Sequence, residues 1–262
     1  MHESLQDQLR WKNEKNSFFV MAHRNSPIAG FAENDIATLQ QTKAILPCAV
    51  QEIDVRMTKD SVLVLLHDST LDRTTTGSGN LNLLNYNEVK KLFLKDDYGK
   101  ILKNSIPTLL DFLRVAKKNS VNLFLDMKPG TDSNKMMDVV RQTNMQSNVI
   151  VICYTIKSAQ KLHKEYPTLM LSLGFNSWED ISKIEKSGIN FKNLVALTPQ
   201  KLQEKSFYKK IHEMGIITSF GTNGGIDTLK NELAIIRYKD LIEAGIDMIC
   251  TDSAKKVLNI LN

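Results

Sequence analysis

Cysteine is scarce in this chain, and long apolar runs are missing. Cys48, Cys153 and Cys250 are odd in number and far apart, with none of the close pairing that zinc sites use, so each is expected to be a small buried hydrophobe. No stretch of 18 apolar residues exists, which predicts that nothing here spans a membrane. The opening MHESLQDQLRWKNEKN carries no apolar segment of the signal-peptide type. A cytoplasmic location is therefore the default expectation, and export the expectation if the sequence is a trimmed form. The net charge of +5 comes mostly from dispersed lysines such as Lys90, Lys91, Lys117 and Lys118, with no basic stripe interleaved by aromatics. That excludes a nucleic-acid footprint while still suiting a negatively charged small partner. Internal repeats and low-complexity linkers are also missing, so residues 1–262 read as a single domain whose oligomeric state is left open.

What is present is concentrated between Val50 and Arg73, VQEIDVRMTKDSVLVLLHDSTLDR. Read as a β-hairpin turning near Asp60 and Ser61, this segment brings His67 back beside Asp54. The two-residue period of a strand puts Glu52 and Asp54 on one face. Upstream, the apolar run FFVMA ends in His23 and Arg24. Carboxylates that can hold a hard cation, two imidazoles that can move protons and a guanidinium that can clamp an anion point to metal-assisted phosphodiester chemistry.

The wider pattern predicts where these groups lie. Strand-type apolar runs recur at Phe18–Ala22, Val50–Val55, Val121–Met127, Val149–Tyr154, Leu169–Leu173, Leu194–Leu197, Ile216–Phe220 and Asp247–Thr251, with Val62–Leu66 as the hairpin return. Amphipathic stretches such as Asp35–Ile45, Leu109–Lys118, Asn134–Thr143 and Leu202–Met214 alternate with them. Eight strands alternating with helices predict a (β/α)8 TIM barrel, with a doubly wound sheet as the alternative. From about residue 68 to 107 the pattern breaks into a polar segment, expected to be an insertion capping the barrel after the second-strand hairpin. His23 and Arg24 then close the first strand, Glu52 and Asp54 lie near the end of the second, and Asp126 and Lys128 close the third. Barrel enzymes assemble their sites at those ends.

The order His23-Arg24, Glu33-Asn34, Glu52-Ile53-Asp54, Thr58-Lys59-Asp60, His67-Asp68, Arg73-Thr74-Thr75 and Asp126-Met127-Lys128 resembles that of the glycerophosphodiester phosphodiesterase family. The similarity continues through Ile106–Leu113 and into Gly245–Asp252, spanning nearly the whole chain. Departures occur at Asn25 and Ala32, where the family usually has Gly and Pro, at Asp126, where Glu is commoner, and at Phe220, where a tryptophan is frequent. The resemblance implies hydrolysis of a glycerophosphodiester to an alcohol and sn-glycerol 3-phosphate, with attack by a glycerol hydroxyl and a cyclic phosphate on the way.

Glu52, Asp54 and Asp126 are the expected ligands of one divalent cation, Mg2+ or Ca2+, because three carboxylates brought together without a cation would repel one another. His23 and His67 are the expected general acid and base, in either order, since an alkoxide leaves poorly unless protonated. Arg24 and Lys128 are expected on the phosphate oxygens, with a pairing of Lys128 to Asp126 compatible with that role. Glu33 and Asn34 either orient these groups or cap the following helix, and Phe220 is a supporting residue. Asp68 and Arg73 are assigned to bracing the hairpin and insertion, and His2, His163 and His212 to the surface. Two other readings remain open: a related barrel phospholipase acting on phosphoinositides or lysophospholipids, for which Leu81, Leu83, Leu84, Leu92, Phe93 and Leu94 would form an apolar rim, and a silent binder of phosphorylated head groups.

Overall fold

The computed structural model describes residues 4–12 and 18–261. Eleven strands are present among them: β1 (Phe19–Ala22), β2 (Val50–Met57), β3 (Leu63–Leu65), β4 (Phe93–Lys95), β5 (Ile101–Ser105), β6 (Leu123–Met127), β7 (Val149–Cys153), β8 (Met170–Gly174), β9 (Leu194–Thr198), β10 (Ile217–Gly221) and β11 (Met248–Thr251). The main sheet runs β1-β11-β10-β9-β8-β7-β6-β2-β3, and β1 also pairs with β2. Eight parallel strands thus close into a TIM barrel with alternating helices, and β3 lies antiparallel outside the ring. Each anticipated strand is found within one or two residues of its expected span.

By contacts the chain divides into two compact units. One comprises Ala22–Asn148, and the other the chain before and after it. In the first, β2 pairs with β6 in parallel, placing Asp54 opposite Asp126, and with β3 antiparallel, placing Val55 opposite Leu65. The hairpin turn is tied by Thr58 Oγ1, which donates to Asp60 Oδ1, and Ser61 adopts φ 65°. Residues Leu71, Leu81, Val89, Leu94 and Ile106 of the insertion form a small core against Ala32, Val64 and Leu66. Leu84 and Leu92 pack against it, leaving Leu83 and Phe93 exposed. Most of the leucines expected as a candidate rim therefore bury one another.

The second unit carries β7 to β11. β7 is buried along its whole length and reads VIVIC, an unbroken apolar run suited to a strand covered on both faces. The helices begin on side-chain caps such as Thr155, whose hydroxyl accepts from the Ser158 amide, and Ser177, which accepts from Asp180. Helix Asn231–Ala244 ends at Gly245, whose φ of 112° is the left-handed stop that glycine supplies cheaply. No helix among the described residues is long and apolar enough to cross a membrane.

Three minor expectations are corrected here. His212 is no surface group: its Nε2 lies 2.8 Å from Asp247 Oδ2, and its ring stacks on Trp11 at 4.9 Å. His163 is half-buried and accepts from the Asn190 amide. Of the cysteines, Cys153 is buried but Cys48 is exposed. His2 lies outside the described residues.

Candidate active site

The site grows from β2. Its first six residues are buried, and alternation directs Glu52 and Asp54, only 3% and 1% exposed, to one side. Parallel pairing brings Asp126 of β6 to the same level. One carboxylate oxygen from each of Glu52, Asp54 and Asp126 lies within 4.8 Å of the others. Lys128, just past β6, is fixed by its amide on the Val55 carbonyl. Its Nζ lies 2.6 Å from Asp126 Oδ2 and 2.8 Å from Asp54 Oδ1.

Beyond β1 the chain turns sharply, with Arg24, Asn25 and Ser26 all at positive φ (48°, 68° and 52°). Three successive non-glycine residues in this region are costly, and such backbone survives only where its surroundings hold it. Here Asn25 is fully buried, its Nδ2 donating to Gln51 Oε1 while its carbonyl accepts from Thr42 Oγ1. The turn aims the Arg24 amide at Glu52 Oε2, 2.8 Å away, and leaves His23 Nε2 4.0 Å from the same oxygen. The Arg24 side chain reaches Glu33 Oε2 at 3.2 Å and Asp54 Oδ2 at 3.7 Å.

Neither Glu33 nor Asn34 caps the next helix, whose N-cap position is Asp35. Asn34, at φ 57°, grips Asp54 twice: its Oδ1 accepts from the Asp54 amide at 2.8 Å and its Nδ2 donates to Asp54 Oδ2 at 2.7 Å. Glu33 joins Arg24 to Arg73, accepting two bonds of 2.8 Å from the Arg73 fork. Arg73 also grips Asp68, and Asp68 Oδ1 lies 2.7 Å from His67 Nδ1. A continuous chain of contacts thus runs from His67 through Asp68, Arg73 and Glu33 to Arg24. The assignment of Asp68 and Arg73 to mere bracing misses this link. Its signal is the adjacency of acid to imidazole in His67-Asp68, with an arginine five residues on.

The charges are interdependent. Burial, reinforced by the neighbouring Asp54 carboxylate, pushes the Glu52 carboxyl well above the ordinary range. Burial alone would raise Asp54 too, but the Lys128 ammonium and the bonds from Lys128 and Asn34 hold it low. Lys128 in turn stays protonated despite burial because Asp54 and Asp126 face it. The bonds from Arg73 keep Asp68 far below the usual carboxylate range. The three converging carboxylates, one of them disfavoured as an anion, form an all-oxygen donor set that fits a hard divalent cation. Phe220 belongs to the second unit, where it is buried on β10 and paired with Thr198 and Ile249.

A barrel with three buried carboxylates on adjoining strands and with imidazole and cationic groups beside them belongs to a class suited to metal-assisted chemistry on an anionic substrate, and comparison with known proteins narrows it. The model of the glycerophosphoryl diester phosphodiesterase family matches residues 23–256, and the chain belongs to that family. It is similar to the glycerophosphodiester phosphodiesterase of Caldanaerobacter subterraneus subsp. tengcongensis, at 25% identity over 92% of this chain and 97% of that protein. The crystal structure of a glycerophosphoryl diester phosphodiesterase from Parabacteroides distasonis superposes with TM-score 0.91 at 26% identity, covering 99% of this chain and 92% of the other. An Oleispira antarctica phosphodiesterase, solved with the product sn-glycerol-3-phosphate, shares the fold at TM-score 0.72 and 19% identity, over 93% of this chain and 96% of that one. The chain is accordingly a phosphoric diester hydrolase.

Proposed function

We propose that the protein hydrolyses glycerophosphodiesters to an alcohol and sn-glycerol 3-phosphate, with a divalent cation, Mg2+ or Ca2+, held by Glu52, Asp54 and Asp126. The observation carrying this reading is the convergence of those three carboxylates beside His23, Arg24 and Lys128. A bound cation would offset charge on the phosphate as the diester is displaced.

The chain's own groups account for the rest. Arg24 and Lys128 supply positive charge for the non-bridging phosphate oxygens. Asp68 accepts a hydrogen bond from the Nδ1–H of His67, so that imidazole exchanges protons through Nε2. His23, with its Nε2 4.0 Å from Glu52 Oε2, takes the complementary role, one histidine drawing a proton from the attacking oxygen and one protonating the departing alkoxide. Asn34 holds Asp54 in orientation, and Glu33 keeps the two arginines in place.

The test is release of glycerol 3-phosphate from glycerophosphocholine and glycerophosphoethanolamine, run with EDTA and then with added Mg2+ or Ca2+. Turnover abolished by chelation and restored by either ion is expected. Folded, metal-supplied protein that releases nothing from either diester would overturn the reading, and His23→Ala or His67→Ala variants with full turnover would overturn the acid-base assignment.

A further inference from the structure

One cleft of the first unit is not used by that chemistry. It measures about 320 Å³, within the range of small-ligand pockets. Its lining includes Ser69, directly after Asp68, and Pro129, directly after Lys128, while Arg56 and Lys59 stand two and five residues beyond Asp54 and Asn82 comes from the insertion.

Its electrostatics are one-sided. Arg56 and Lys59 are cations, and no Asp or Glu lines the cleft. Of the acids that adjoin lining residues in sequence, Asp60 is engaged by Thr58 Oγ1 and the Tyr86 amide, and Asp68 by Arg73 and His67. Arg56 sits two residues beyond Asp54, on the strand face that carries Glu52 and Asp54. Its Nε and Nη2 both donate to the His67 carbonyl, at 2.9 and 2.6 Å, which anchors the guanidinium on the backbone of the residue whose imidazole is proposed to move protons. Lys59 is exposed, and its ammonium has no ion-pair or hydrogen-bond partner among the described residues. Ser69 and Asn82 add hydroxyl and amide groups. An anionic group placed here would meet two cations and no lining carboxylate, whereas a choline or ethanolamine cation would meet like charge.

We infer that this cleft is the subsite for the alcohol portion of the substrate and that it selects head groups carrying an additional anionic group, a carboxylate or a second phosphate. The inference rests on the proposed diesterase activity and deepens it. Two matched pairs of substrates test it and separate the two sources of charge. Glycerophosphoserine and glycerophosphoethanolamine differ by a carboxylate; glycerophosphoinositol 4-phosphate and glycerophosphoinositol differ by a phosphate.

In at least one pair, kcat/KM for the anionic member is expected to exceed that of its neutral or cationic counterpart by about threefold to fivefold, the size of one partly exposed charge contact. Lys59→Glu, an exposed substitution compatible with folding, should collapse or invert that ratio. Because the readout is a ratio within one variant, general damage to the enzyme cancels. Equal rates within both pairs, or a ratio that Lys59→Glu leaves unmoved, would overturn the inference while leaving the diesterase reading intact. Failure to hydrolyse all four substrates would instead remove the reading on which it rests.

Discussion

Asn34 acts on Asp54 alone and Asp68 on His67 and Arg73, and that is where single-residue experiments gain most. Asp68 fixes which nitrogen of His67 carries the proton, as the carboxylate does in other imidazole-acid pairs. Asp68→Asn should lower kcat by about a hundredfold or more with little change in KM, because a mispositioned imidazole fails in the transition state more than in binding. Steady-state kinetics separate the two. The same residue has a signature in stability. Its carboxyl is held below the ordinary range by Arg73, so its stabilising contribution is fully present above the unfolded-state value and is lost as pH falls through the folded-state value. The difference in Tm between the parent and Asp68→Asn should therefore be constant from neutrality to about pH 5 and shrink only below about pH 4. A difference that shrank between pH 8 and 6 would contradict the Arg73-held carboxylate.

At the scale of elements, the β2–β3 hairpin was readable because its pattern is local: alternating apolar residues, a Lys-Asp-Ser turn and a return of the same period. The turn after β1 was not. Nothing in His-Arg-Asn-Ser announces three left-handed residues in a row; they hold because Gln51 and Thr42, distant in sequence, bind Asn25. Gly245 is a third case, a packing constraint that its local sequence does not show. A Cβ there would lie 3.1 Å from Tyr208 Cβ, in backbone that already disfavours one. Gly245→Ala is expected to cost about 1–2 kcal/mol, seen as a lower urea midpoint at unchanged slope.

For the molecule as a whole, the carboxylate cluster links ion binding to folding. Without a cation, Glu52 is disfavoured as an anion by burial and by Asp54. Added Mg2+ or Ca2+ should raise Tm saturably, by the equivalent of about 2.7 kcal/mol once the ion stands a hundredfold above its Kd. Glu52→Gln should abolish that rise while leaving the ion-free protein at least as stable as the parent, which calorimetry with and without EDTA would check. A Tm indifferent to the ion in the parent would argue against the cluster as a cation site.

Taken alone, the order of residues determined the eight strands, the barrel they form and the chemical types they carry, because apolar periodicity and the polar residues that interrupt it are written in neighbouring positions. Only the tertiary structure decided that Asn34 grips Asp54 rather than capping a helix, that Asp68 and Arg73 belong to His67 rather than to the insertion alone, and that His212 is covered by Trp11. Those outcomes depend on which distant side chain comes within hydrogen-bonding or stacking reach once the strands are in register, and no local pattern encodes such a distance.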